Sequence, residues 1–459
     1  MEMKSIEHRK AYLLAWMDSL KLNRKHILIW VVCALGMIFD SMDLQIAAFA
    51  APLIRSEWHL TPKTLGYFIS AASFGSIAGA YIFGIYSDRH GRIKGFQVTV
   101  GLFSIFTAAC GLVRSLTQML PIRFLAGVGI GGLAPIDSAV LTEYVPARVR
   151  GRMMALYTTS FSLGGIFATT AAGFILPIYG WRGLFIFGAI PALLVIALRY
   201  FVPETPRYLM SKGRMEEAER SVRWVADKTE QPDEKNLVLP KVVGGESKST
   251  WEDIKELFSS GYRKRTILAS ILFFGRFIPY FGMVLWLPTL LGQYYHYDAA
   301  TVVSFVFAYQ ISGLIGRLAT LGLVDKVGRK PIIVVCEFMA AIMVLVFGFQ
   351  HEYMYVLSAA CIYNFFTEGA YCAVAPYIAE LYPTRIRSTG LGWAMGIGRV
   401  GGAVSPMIVG HIVEVYSLLT LFTVFFACYV VVSLTMFFLG FETKGKTLEE
   451  LEHVAKVGV

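Results

Sequence analysis

Twelve apolar runs, each long enough to cross a lipid bilayer, constrain this chain more than any other feature. They lie near residues 27–54, 64–86, 95–113, 117–142, 153–176, 181–201, 266–291, 300–323, 331–350, 355–379, 389–413 and 418–440. A helix needs roughly 20 apolar residues to span the hydrocarbon. Within lipid every backbone polar group must be paired inside the protein, so each run is expected to be a helix. Composition agrees: 56% of the 459 residues are hydrophobic and 16% are charged, against about 25% charged in a soluble protein. The expected fold class is an all-α membrane protein with twelve transmembrane helices. Glycines such as Gly127, Gly129, Gly131 and Gly132 allow helices to pack closely.

Charge placement predicts the orientation. A net charge of +10 could suit nucleic acid, but the basic residues collect in alternate connections. They are Arg89, Arg92 and Lys94; Arg148, Arg150 and Arg152; Lys326, Arg329 and Lys330; and Arg385 and Arg387. This pattern is an orientation signal and excludes a nucleic-acid reading. Both termini are expected in the cytoplasm, in a plasma (inner) membrane. Residues 1–26 interleave basic and apolar residues and read as an amphipathic segment on the lipid surface. They lack the features of a cleavable leader, because the first apolar run is of full span length. Residues 27–201 form a first half and 266–440 a second. A polar linker, 202–265, separates them, with helical periodicity at 215–228 and 251–258. Residues 441–459 form a tail. All six cysteines fall within spans, which argues against a disulfide scaffold or a metal site. With no metal-ligand cluster and no Ser/His/Asp set within spans, neither an enzyme nor a cofactor is expected.

The halves repeat. Asp88-Arg-His-Gly91-Arg92 returns 237 residues later as Asp325-Lys-Val-Gly328-Arg329. Glu143-Tyr-Val-Pro146-Ala-Arg148-Val-Arg150 returns at the same spacing as Glu380-Leu-Tyr-Pro383-Thr-Arg385-Ile-Arg387. Pro203-Glu204-Thr205 is matched by Phe441-Glu442-Thr443, with the glutamates 238 apart. Two parallel six-helix halves around a midplane site suggest alternating access.

Asp40 and Asp43 sit near the middle of the first run, three residues apart on one helix face. A carboxylate at that depth costs roughly 2.5–3.5 kcal/mol or more, so such residues usually hold a cation, a proton or a ligand. Arg123, about two turns into the fourth span, is the best intramembrane cation for Asp43. An ion pair in low dielectric keeps Asp43 ionised, and protonation would free Arg123. The alternative is a static pair that fixes packing. Asp40 could relay protons, stay protonated beside Asp43, contact substrate, or serve packing alone. Asp137, in the fourth span, could join a proton path.

Gly84-Ile-Tyr-Ser-Asp88-Arg-His-Gly91-Arg92 resembles the motif of the major facilitator superfamily between spans two and three. Arg123-x3-Gly127-x-Gly129-x-Gly131, Glu143…Arg150-Gly151, Pro203-Glu-Thr-Pro-Arg207 and Glu442-Thr-Lys-Gly445 resemble motifs of its sugar-porter and organic-ion branches. Phe39-Asp-Ser-Met-Asp43, Trp58-His-Leu-Thr-Pro62 and Tyr280-Phe-Gly-Met-Val-Leu-Trp-Leu-Pro288 are similar to bacterial nicotinate transporters. They are also similar to aromatic-acid–proton symporters and synaptic-vesicle-protein-like carriers. The second half departs from the superfamily pattern at Leu321, where a glycine is usual, and at Phe441, where a proline is usual.

The resemblance implies proton-coupled import of a small organic anion, such as nicotinate, by a single chain. It also implies roles. Asp43 and Arg123 match the coupling pair of sugar–proton symporters, with Asp40 as an additional acid. Asp88, Arg92, Glu143, Arg150, Asp325, Arg329, Glu380 and Arg387 match a cytoplasmic gate whose ion pairs join the halves in the outward-open state. The alternative for these loops is solubility and topology. Arg399 resembles the arginine that anion carriers place in span eleven, and a guanidinium suits a carboxylate; it could instead pair with Glu368 or Asp137. Tyr280, Trp286, Asn364, Tyr371 and Trp393 are candidates to face a flat ring, against lipid-facing or core packing. Arg276, Arg317, Glu337 and Glu368 are expected mostly to pair with one another or to snorkel. Rival functions are a sugar or polyol symporter, an organic-cation transporter, and a non-transporting receptor on the same scaffold.

Overall fold

A computed structural model of the chain describes residues 2–191, 201–226, 250–383 and 385–445. Residues 192–200 of the sixth span, 227–249 of the linker and 446–459 of the tail lie outside the described residues. The first part contains α1 (Glu2–Ser19), α2 (Arg24–Glu57), α3 (Pro62–His90), α4 (Arg92–Cys110), α5 (Leu116–Tyr144) and α6 (Ala147–Phe187). Three short helices follow, α7 (Pro206–Ser211), α8 (Met215–Ala226) and α9 (Thr250–Leu257). The second part contains α10 (Arg263–Gln293), α11 (Ala299–Val327), α12 (Arg329–Phe349), α13 (Tyr353–Glu380), α14 (Arg387–Val415) and α15 (Leu418–Leu439).

Local chemistry sets the helix ends. The Asn23 side chain accepts from the backbone of Lys25 and His26 to cap α2. Thr61 caps α3 with Pro62 in the first turn, and Asp298 and Ser417 cap α11 and α15. Gly180, at φ 61° and ψ −164°, breaks α6 into the fifth span and the start of the sixth. Among the described residues ten helices are long and apolar enough to cross a membrane, with α6 counted once. Helix α13 is not among the ten: Asn364, Glu368 and its tyrosines dilute its apolar character. The chain is an integral membrane protein.

The halves pack by one scheme. In the first half α3 lies on α5, α2 on α6 and α4 on α5; in the second, α11 lies on α13, α10 on α14 and α12 on α13. Glycines set the closest approach. A Cβ on Gly75 or Gly79 of α3 would lie 2.0 Å from Phe124 O or Val128 O of α5, and one on Gly127 or Gly131 of α5 would lie 2.0 Å from Ala72 O or Ser76 O of α3. Between halves, α3 meets α14, α6 meets α11 and α2 meets α10.

Helix α1 packs on the first half. Leu13, Trp16, Met17 and Leu20 are buried, Arg9 pairs with Glu219 of α8 at 2.6 Å, and Asp18 pairs with Arg150 at 3.1 Å. The apolar residues assigned to a lipid surface are thus covered by protein.

Candidate functional site

Carboxylates and arginines occupy fixed heights on helices that face one another, and this builds the site. On α2, Asp43 is fully buried against Arg123 of α5. Arg123 donates from Nη1 to Oδ1 at 2.8 Å and from Nη2 to Oδ2 at 2.7 Å. Thr107 of α4 donates a further hydrogen bond to Oδ1 at 2.9 Å, and the guanidinium lies 5.5 Å from the Phe185 ring centroid. The sequence led to an expectation of an ion pair here; the structure shows it, in bidentate form.

One turn away, Asp40 borders a cavity of about 250 Å³ between the halves. Asp43, Ser73, Ile130, Tyr157 and Phe161 line it from the first half. Arg276, Phe277, Tyr280, Phe281, Arg317, Glu368, Tyr371 and Arg399 line it from the second. The acids and bases of the second half mostly satisfy each other. Arg276 pairs with Glu337 and donates to Thr367 O. Arg317 pairs with Glu368 at 2.5 Å, and Glu368 also accepts from Tyr280 Oη at 2.7 Å. The two guanidiniums flank the Tyr371 ring at 5.7 and 5.4 Å. Arg399 makes no hydrogen bond or ion pair with another described residue, and the titratable group facing it across the cavity is Asp40. Neither alternative partner pairs with it: Glu368 is held by Arg317, and Asp137 accepts from the Tyr157 hydroxyl at 3.3 Å.

Of the six residues expected to bind substrate, Arg399, Tyr280 and Tyr371 line the cavity. The other three do not. Trp286 is fully buried elsewhere in α10. Asn364 donates to Tyr309 O at 2.7 Å. Trp393 donates to Ser270 Oγ at 3.2 Å and packs edge-on against Phe258. Reading by residue type alone missed Phe277, Phe281 and Phe161. It expected Arg276, Arg317 and Glu368 mostly to pair with one another or to snorkel; they pair, Arg276 with Glu337 and Arg317 with Glu368, and all three also face the cavity. The available signal was spacing: Arg276 with Tyr280, and Phe277 with Phe281, each stand four residues apart on α10.

The repeated loops gather at one end of the bundle. Arg92 pairs with Asp88 and with Glu143, the latter at 3.3 Å. Arg329 repeats this with Asp325 at 3.1 Å and Glu380 at 3.4 Å. Arg150 and Arg387 each donate to the carbonyl five residues earlier, Val145 and Tyr382. These pairs close within a half, where the sequence led to an expectation of pairs between halves. Apart from a bond at the cavity, where Arg317 donates to Thr158 O at 2.6 Å, the halves meet toward the opposite end. There Arg55 donates to Gln293, Gln293 donates to Pro52 O at 3.3 Å, and Lys63 N donates to Glu414 at 2.8 Å. A Cβ on Gly66 would meet Pro406 O at 2.6 Å, and one on Gly410 would meet Pro62 O at 2.4 Å.

The third repeated motif has a role that the sequence left unassigned. Glu204 accepts from the backbone of Arg92 at 2.8 Å and Ile93 at 3.1 Å, and so caps α4. Glu442 accepts from Arg329 and Lys330, each at 3.0 Å, and caps α12 in the same way. Each carboxylate lies where a Cβ on the loop glycine would be, 2.3 Å away at Gly91 and 2.5 Å at Gly328. Burial works against the charge on Glu442, but the backbone N–H groups of Lys444, Arg329, Lys330 and Thr443 outweigh it and hold its carboxyl below the usual range.

The sequence model of the sugar (and other) transporter family matches residues 8–455. The niacin transporter NiaP of Acinetobacter baylyi is 32% identical over 96% of this chain and 99% of its own length. The benzoate transport protein of the same organism is 31% identical over 86% of this chain and 85% of its own. Among solved structures, the inward-open xylose transporter XylE from E. coli superposes with a TM-score of 0.75, covering 94% of this chain and 99% of that one at 20% identity.

Proposed function

The chain belongs to the family of sugar (and other) transporters, and on that premise we propose that it imports a small aromatic monocarboxylate together with protons. It is a transporter and not an enzyme. One observation carries the substrate class: Arg399 has no partner among the described residues and faces a small cavity flanked by aromatic rings. An arginine fork matches a carboxylate in two parallel hydrogen bonds, and Phe277, Phe281 and Tyr371 offer ring faces and edges. A volume of about 250 Å³ is below the roughly 300–1,000 Å³ typical of drug-sized ligands, which suits one ring with one acid group. Nicotinate and benzoate are the first substrates to try, since relatives bear their names. A neutral sugar would give Arg399 no charged group to hold, and an organic cation would be repelled by it.

The Asp43–Arg123 pair is the coupling element. Protonating Asp43 removes the counter-charge from a buried guanidinium and biases the helices toward an arrangement that re-solvates it. In this reading the protein sits in a plasma (inner) membrane, the basic end and both termini are cytoplasmic, and one chain acts alone. Gate pairs closed within each half, with the opposite end sealed, describe the inward-facing state.

The test is uptake of labelled nicotinate and benzoate into proteoliposomes under an imposed inward proton gradient. Uptake should collapse with the gradient and vanish in Asp43→Asn. In Arg399→Ala the KM should rise roughly 10- to 100-fold, the loss of a charged hydrogen-bond partner worth about 1.5–3 kcal/mol. Gradient-independent uptake in wild type would remove symport. Uptake of xylose, but of neither acid, would remove the substrate class.

A further inference from the structure

Asp137 is buried on α5, and its carboxylate lies against α2. A Cβ on Gly36 would stand 2.6 Å from Asp137 Oδ2 and 3.2 Å from the Phe96 ring, so the absence of that one carbon makes the space. Gly36 is one turn from Asp40, and Asp40 is one turn from Asp43. Three carboxyl groups therefore stack along one face of α2, about a helical turn of 5.4 Å apart. Asp43 holds Arg123, Asp40 borders the cavity, and Asp137 lies nearest the end that carries the repeated loops.

The surroundings of Asp137 differ from those of the other acids. Oδ2 accepts from Tyr157 Oη at 3.3 Å, and the buried Oδ1 has no hydrogen-bond partner. The titratable groups acting on it are Tyr157 of α6 and, from α2, Asp40 and Cys33. Among the described residues no lysine, arginine or histidine pairs with it. From α4, Phe96 faces the same space. A membrane-embedded carboxylate needs a cation or a proton, and here the surroundings supply no cation. Tyr157 connects this group to the cavity, whose lining includes both Tyr157 and Asp40, and Asp40 acts electrostatically on Tyr157.

We infer that Asp137 is a second proton-binding site, the inner end of a relay that runs from Asp40 through the Tyr157 hydroxyl. The inference rests on the proton-coupled reading above. In the transfer, Tyr157 gives its proton to Asp137 Oδ2 and takes the Asp40 proton in its place. Asp40 ends ionised, Asp137 ends neutral, and Tyr157 is unchanged. The proton then leaves Asp137 toward the cytoplasm, and Asp40 is left charged opposite Arg399.

Two transport modes of the full-length protein in proteoliposomes test this, with nicotinate as probe. Net uptake requires the proton to leave. Exchange of internal for external nicotinate does not, because the loaded carrier returns with its proton. In Asp137→Asn net gradient-driven uptake should fall on the order of 100-fold, the usual effect of removing a positioned proton-transfer group, while exchange continues at the wild-type rate; in Tyr157→Phe net uptake should fall as well. Infrared difference spectra across a pH step should also lose one carboxylic-acid carbonyl band in Asp137→Asn. Unchanged net uptake in both variants, or exchange that falls in parallel with it, would overturn the proposal. Failure of the underlying reading shows separately, as wild-type uptake indifferent to the gradient.

Discussion

Arg123 and Asp43 show how much one side chain can depend on another. Their exposures are 1% and 0%, so neither ion has water to replace its partner. Removing one partner of such a buried pair typically costs about 3–5 kcal/mol, whereas removing both charges can be nearly neutral. Asp43→Asn is therefore expected to lower the thermal unfolding midpoint of the purified protein sharply. Asp43→Asn combined with Arg123→Gln should recover most of that loss without recovering gradient-driven uptake. A midpoint equal to wild type in the single variant would show that water reaches Arg123. This pair was readable in the sequence because each member breaks an otherwise apolar run. The substrate side chains were less so. Trp286 is six residues from Tyr280, about 240° round the helix, and it faces away from the cavity. Trp393 stands in the same relation to Arg399. Asn364 shares a face with Tyr371 but lies two turns away, where Tyr309 O takes its amide. Residue type identifies candidates, but helix rotation and depth decide among them, and in spans covered on all sides no polar face reveals the rotation.

At the scale of elements, the α3–α4 and α11–α12 loops at the basic end are assembled turns. Gly91 and Gly328 sit at φ 112° and 111°, a region that side chains with a Cβ avoid. A glutamate from the end of the same half reaches back to cap the next helix. Because backbone hydrogen bonds hold the Glu442 carboxyl below its ordinary range, its contribution to stability is complete above the unfolded value of about 4.3. That contribution is lost as the pH falls through the folded value. Glu442→Gln should therefore unfold at a lower temperature than wild type at neutral pH, and the gap should narrow as the pH drops below about 4. A gap that stays constant down to acid pH would mean that the carboxylate charge is not what caps α12. The spacing of the motifs in sequence exposed the repeat itself. The reach of Glu204 and Glu442 across more than a hundred residues could not be seen, because a cap is defined by where a helix begins in space.

For the whole molecule, the question is which end separates. The sequence placed charged pairs between the halves at the basic end, and the structure places contacts between them at the other. The motifs revealed the partners but not the state, since the same arginine can answer a carboxylate of its own half or of the other. If the present arrangement is one end-point of a cycle, a short bis-maleimide should join Arg55→Cys to Gln293→Cys. Transport should stop on cross-linking, while either single variant under the same treatment remains active. Continued transport with the ends joined would exclude separation at that seam.

The meeting of Arg55 with Gln293 carries a further consequence. The two residues are 238 positions apart, the same spacing as that of the glutamate caps, so the contact joins equivalent places on the two halves across their common pseudo-twofold axis. A homodimer of six-helix subunits would set two copies of one residue against each other there, and two arginines would repel. Gene duplication followed by fusion removes that restriction: one copy can keep a donor while the other acquires an acceptor. Asymmetry at the axis is thus open to a single chain and closed to such a homodimer, and the same freedom lets Asp40 stand on one side of the cavity and Arg399 on the other.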